Sequence, residues 1–117
     1  MTTNNQKLNS VIQQCRETGV KLPESVLGIV GNLLSSTSLP FAVFPTMRQS
    51  IQIEHETEDN YIEFEIFDDK IIMLRMTDDR IDEEREVTAD EMYEIVWRLE
   101  KWIVLWFLQT EIIKHVS

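Results

Sequence analysis

From Thr88 to Ser117, thirty residues pass without a proline or a glycine, and this stretch constrains the chain more than any other. Thr88 and Glu91 have the spacing of a capping box, with Val87 and Met92 placed as its hydrophobic staple. The spacing predicts a helix from Ala89 to about Val116, roughly 40 Å long at ~1.5 Å per residue. Met92, Ile95, Val96, Leu99, Trp102 and Ile103 form one apolar stripe along it. Beyond Lys101 the pattern changes, because Trp102 to Leu108 is apolar around the whole circumference. A helix of that kind needs burial on all sides, which a chain of 117 residues has little material to provide. The expectation is at least a homodimer, joined through Trp102, Val104, Leu105, Trp106 and Phe107. Trp97, Trp102 and Trp106 fit a core or subunit contact better than a ligand cage, since aromatic residues dominate buried interfaces.

The remainder of the chain bounds the class. Its length suits one domain spanning residues 1–117, and three glycines and three prolines argue against a disordered or collagen-like chain. The seven-residue run Trp102–Leu108 is far too short to span a bilayer, so no membrane partner is expected. Met1 to Lys7 is polar, without the apolar region of a secretory signal, and Cys15 has no partner for a disulfide or a zinc site. These features predict a cytoplasmic protein.

Two short helices come first. Leu8, Val11, Ile12 and Cys15 recur at helical spacing up to Gly19. A second apolar series, Val26, Leu27, Val30, Leu33 and Leu34, follows Pro23 and stops at a Ser/Thr cluster. Pro40 and Pro45 then bracket an extended apolar stretch, Phe41–Phe44.

From Ser50 the period becomes two. Ile51, Ile53 and His55 alternate with Gln52, Glu54 and Glu56, and Ile62, Phe64 and Ile66 alternate with Glu63 and Glu65. A two-residue loop at Glu58–Asp59 sets Ile53 opposite Phe64, Glu54 opposite Glu63 and Gln52 opposite Glu65. Ile71 to Leu74 does not alternate, which reads as a strand covered on both faces. Its register stays open. A two-residue loop puts Arg75 beside Ile62, and a three-residue loop puts it opposite Glu63. Asp82–Val87 completes the pattern as a charged edge strand. The expected fold is α+β: two N-terminal helices, an antiparallel meander of three or four strands, and the long helix packed on the sheet.

Charge is unevenly spread. Residues 54–94 carry seventeen acidic and four basic groups, a net −13, against a total of −10 for the chain. Such a field repels nucleic acid and anionic lipid and draws in basic partners. Glu54, Glu56, Glu63 and Glu65 would share one sheet face, where like charges opposite one another destabilise the strand pair unless a cation meets them. That cation is either solvent-borne or a basic partner protein reached through these residues and through Asp82, Glu83 and Glu84. No metal is expected, because no histidine shares the face and the acidic turns lack the glycine and spacing of a calcium loop. No cofactor is expected either, since no glycine-rich phosphate loop and no nucleophile–base constellation is present. His55 reads as a packed core histidine, and His115 as a cation near the helix C-terminus.

Phe44-Pro-Thr46, Ser50-Ile-Gln-Ile-Glu54 and Tyr61-Ile-Glu-Phe-Glu-Ile66, in that order, resemble a set of small bacterial proteins with a Pro-Thr, an Ile-Gln-x-Glu strand and a Tyr-Leu-Glu-x-Glu-Ile strand. Some of those are companions of toxin or phage-defence genes. The resemblance implies an antitoxin-like or accessory-subunit role, covers about a quarter of the chain, and brings no catalytic residue with it. Ile62 stands where Leu is usual, and the apolar segment around Trp106 lies outside the pattern. The expectation is therefore a non-enzymatic regulator that engages a basic protein. The alternatives are a metal-dependent nuclease using Glu54, Glu63 and Glu65, and an inhibitor that mimics nucleic-acid charge.

Overall fold

A computed structural model describes residues 3–116, with side chains described for 3–106, 108 and 109. Helix α1 (Asn4–Thr18) opens with a complete capping box, in which Thr3 Oγ1 accepts from the Gln6 amide and Gln6 Oε1 accepts from the Thr3 amide. It stops at Gly19, whose φ of 76° is the left-handed conformation that a residue without Cβ adopts at no steric cost. Helix α2 (Glu24–Ser36) starts directly after Pro23.

The sheet follows as a five-stranded antiparallel meander in sequence order: β1 (Ala42–Pro45), β2 (Ile51–Glu56), β3 (Asn60–Ile66), β4 (Ile71–Thr77) and β5 (Arg80–Val87). The expected three or four strands become five. The extended stretch between Pro40 and Pro45 pairs with β2, setting Val43 opposite Ile53 and Phe44 opposite Gln52. As an edge strand, β1 tolerates a terminal proline that a central strand would not. The β2–β3 register is the expected one, with Ile53 opposite Phe64 and Glu54 opposite Glu63. The open register of β4 resolves to the two-residue loop, with Ile62 opposite Arg75. The Asp78–Asp79 turn has φ of 50° and 63°, positive at both central residues as a type I′ hairpin turn requires.

The sheet has unlike faces. On the inner one, Ile51, Ile66, Ile71 and Val87 form one row and Ile53, Phe64 and Met73 another, all buried. Leu8, Val11 and Cys15 from α1 and Val26, Val30, Leu33 and Leu34 from α2 join them in a single core. His55 sits there too, buried against the Phe41 ring, with Nδ1 2.9 Å from the Pro40 carbonyl. That contact fixes Nδ1–H as donor, since a carbonyl can only accept. On the outer face, Ile72, Leu74 and Met76 of β4 stand half-buried and outside the core. No helix among the described residues is shown covering them, so β4 is covered on one face rather than the two its sequence suggests.

Helix α3 (Ala89–Val116) changes character along its length. Its capping box forms as read from the sequence, with Thr88 and Glu91 exchanging backbone–side-chain bonds of 3.1 Å. Met92 and Val96 are buried, and Tyr93, Ile95, Leu99 and Ile103 pack against the core. Glu100 ties this half to the end of α2, accepting from the Ser38 amide (3.0 Å), the Thr37 hydroxyl (3.2 Å) and the Ser38 hydroxyl. Further along, the helix runs past the body. The molecule measures 57 × 31 × 25 Å with a radius of gyration of 15.8 Å, where a compact chain of this length has about 13 Å. The long helix thus packs on the core with its N-terminal half alone. No described helix is long and apolar enough to cross a membrane.

Candidate functional site

Two surfaces carry the residues singled out by the sequence: the tail of α3 and the outer face of the sheet. On the tail, Trp102 is 69%, Val104 52%, Leu105 56%, Trp106 61% and Leu108 52% exposed. Positions 102 and 106 lie on a different side of the helix from 104 and 108, at 100° per residue, so the exposure runs round the helix. The side chain of Phe107, the fifth expected interface residue, lies outside the described ones. Trp97 is 54% exposed where the tail leaves the body, and the Lys101 ammonium sits 3.9 Å from its ring centre.

The pleat sends alternate residues of each strand to the outer face, and the register lines them up in rows. One row crosses the sheet as Ala42, Glu54, Glu63, Leu74, Glu84. A second runs Phe44, Gln52, Glu65, Ile72, Glu86, and a third Glu56, Tyr61, Met76, Ile81. The result is an aliphatic strip on β4, extended by Ile81 (62% exposed), with carboxylates on both sides.

Those carboxylates are not equivalent. Tyr61 Oη lies 2.6 Å from Glu54 and 2.9 Å from Glu63, one hydroxyl proton shared between two anions that the register forces together. Partial burial of the ring, followed by those two bonds, pushes the Tyr61 hydroxyl well above the usual tyrosine range, so it remains a donor. Glu65 is 8% exposed, 2.6 Å from the Arg48 guanidinium through one oxygen and 2.7 Å from Ser50 Oγ through the other. Its oxygens hold the β1–β2 turn, where Thr46 and Ser50 also meet. Glu65 is therefore not presented to a partner, nor free to join Glu54 and Glu63 around a metal, although it shares their face. Glu56 is exposed at the far end of the strand.

The expected acidic trio on β5 divides. Register shifts between Arg75 and Met76, pairing Arg75 with Glu83 and Met76 with Ile81 and leaving Asp82 as the extra residue. Glu84 belongs to the outer face, Glu83 points to the helix side and pairs with Arg85, and Asp82 bonds the Thr77 hydroxyl. These three residues do not form one surface.

Depressions lie at two places among the described residues. One, of about 580 Å³, lies between α2 and α3 and is lined by Asn32, Thr37, Tyr93, Trp97 and Glu100 among others. The other, about 420 Å³, lies between the Glu58–Asp59 and Asp78–Asp79 turns and is lined largely by carboxylates. Among the described residues, no group of three or more His, Cys, Asp or Glu side chains is placed to hold a metal ion. Comparison with protein-family models, curated proteins and solved structures finds no match.

Sequence reasoning missed the aliphatic strip and the role of Tyr61. A signal for the first was present, since the non-alternating run of β4 already pointed to two apolar faces. For Tyr61 the signal was partial: Glu63 is its same-face neighbour two residues on, while Glu54 reaches it only across a strand diagonal.

Proposed function

We propose that this chain is a non-enzymatic protein-binding regulator of the antitoxin, immunity or defence-accessory kind, with the tail of α3 as its principal docking element. The observation that carries the proposal is the exposure of five large apolar side chains on a helix that leaves the body. Exposed apolar area of that extent raises the free energy of the isolated chain in water, and a protein surface that covers it lowers that free energy. The outer sheet face adds a charge preference. Glu54, Glu56, Glu63, Glu84 and Glu86 favour a basic surface and repel an acidic one.

Association measured for the full chain and for a Trp102→Ser/Trp106→Ser variant tests this reading. The full chain is expected to associate at micromolar concentration, with itself or with a basic protein captured from its host. The double variant, unchanged in circular dichroism, is expected to lose that association. A full chain that sediments as a monomer at tens of micromolar and captures nothing would overturn it.

A further inference from the structure

Resting on the reading of the α3 tail as a docking element, we infer that its occupant is a second copy of this chain, with the tail of each copy lying across the outer sheet face of the other. Four observations converge on that arrangement. Strand β4 has the sequence of a doubly covered strand, yet this chain covers only its inner face. Ile72, Leu74 and Met76 are thus an apolar strip in want of a cover, and Ile81, opposite Met76, extends it at 62% exposure. The tail is an apolar helix in want of a surface.

The dimensions agree. From Val104 to Val116 the tail is about 20 Å long at ~1.5 Å per residue. Strand β4, seven residues at about 3.3 Å each, is about 23 Å long. A tail laid along β4 therefore covers the whole strip.

Charge selects this pairing over one in which two bodies meet. Residues 54–94 carry a net −13, so apposed sheet faces would repel. Residues 95–117 instead carry a net +1, with Arg98, Lys101 and Lys114 against Glu100 and Glu111; Arg98 is paired with Glu94, and Glu100 is tied to Thr37 and Ser38. A tail on the partner's sheet brings cations toward the carboxylates that flank the aliphatic strip. The area is also sufficient. Taking about 150–250 Å² for an aromatic side chain, the exposed apolar residues of one tail offer on the order of 600 Å². Burying half of that on each tail, with an equal area of each sheet, removes about 1,200 Å² in total, the lower bound for a specific interface. The exchange is reciprocal, so two copies satisfy both tails and both faces and the assembly closes.

Sedimentation equilibrium on the full chain tests this, using one variant that spoils the face and one that spoils the tail. Leu74→Arg places a cation opposite Glu63 and Glu84 within its own sheet, so the body stays folded, while the strip loses its centre. Ile81→Lys, at a position already exposed, is the second face variant should Leu74→Arg fold poorly. Either is expected to weaken the dimer at least tenfold, as is Trp102→Ser/Trp106→Ser in the tail. Mixing the two kinds is decisive. A face variant keeps a sound tail and the tail variant keeps a sound face, so the mixture is expected to form a heterodimer tighter than either variant makes alone. A dimer that ignores both face variants, with no recovery on mixing, would show the tails pairing with each other. That result overturns this inference and leaves the docking role of the tail standing. A monomeric full chain that captures an unlike protein through the tail overturns it in the same way. A monomeric chain that captures nothing removes both.

Discussion

The two halves of α3 are one continuous helix, both rich in large apolar residues, and they meet opposite fates. Met92 and Val96 are 0% and 2% exposed, whereas Trp102 and Trp106 are 69% and 61% exposed. The halves differ in composition, with six charged residues in 89–101 and none from Trp102 to Leu108, and it is the resulting angular distribution that decides what one core can cover. In the first half the apolar positions fall on one stripe, with Glu94 and Arg98 forming an exposed ion pair on the other side. One packed core satisfies that pattern. From Trp102 to Leu108 every direction is apolar, and one core can cover only one of them. The difference teaches that an amphipathic stripe states what the chain does for itself, and an all-round apolar segment states what it needs from another molecule.

The sharpest way to break this comparison is to remove equivalent side chains from the two halves. Met92→Ala empties a fully buried position and is expected to cost about 2–5 kcal/mol in urea unfolding. Leu108→Ala is expected to stay within about 0.5 kcal/mol in dilute solution, as at ordinary exposed positions. Its effect should grow with protein concentration, because association stabilises only the folded form. Similar, concentration-independent losses at both sites would mean that the tail folds back onto its own body.

Much of the inner half of this fold was legible in the sequence, because a period of two with a buried face specifies register almost uniquely. Ile53 could face Phe64 only if every apolar side chain of β2 and β3 stayed on the core side. The capping box at Thr88 and Glu91 was equally legible, since it depends on neighbours in the chain. Features that depend on distant partners were not. β1 is too short and proline-rich to announce itself, and it becomes a strand only because β2 offers a free edge. Glu83 and Glu84 part to opposite faces by strand alternation alone, but the bulge that takes Asp82 out of the ladder beside Met76 has no signal within Asp82–Glu84. Glu65 reads like Glu63, yet Arg48 and Ser50, brought in by the β1–β2 turn, take its oxygens.

Glu100 marks where the two halves of α3 divide, and pH probes it. Hydrogen bonds from the Ser38 hydroxyl and then the Ser38 amide hold its carboxyl below the usual carboxylate range. A depressed folded-state value stabilises the fold above the unfolded value near 4.3 and ceases to do so as pH falls through the folded value. Wild type is therefore expected to exceed Glu100→Ala by about 1 kcal/mol at pH 7, allowing for partial exposure of these bonds. The gap should close as pH is lowered from about 5 toward 3. Urea midpoints for both proteins across that range measure it. A gap unchanged at pH 3 would show that Glu100 acts through packing of its stem, and the division would need another explanation.

The smallest expected effect lies at the same junction, where Lys101 covers Trp97. An ammonium 3.9 Å from the ring centre is within reach of the negative face of the indole. Because Trp97 is 54% exposed, water competes for the cation, and the contact is expected to contribute about 0.5–1 kcal/mol. Single variants cannot isolate so small a term, since Trp97→Ala also removes packing and Lys101→Ala also changes the charge of the tail. A double-mutant cycle on urea unfolding, in dilute solution where association does not contribute, subtracts those parts. A coupling near 0.5 kcal/mol means that Trp97 is shielded by its own helix and belongs with the satisfied half. Zero coupling places Trp97 with the exposed Trp102 instead, and lengthens the exposed tail by more than one helical turn. The exposed apolar surface of the proposed docking element would then begin between α2 and α3, beside Tyr93, and a Trp97→Ser variant is expected to weaken the proposed dimer along with the tail variants.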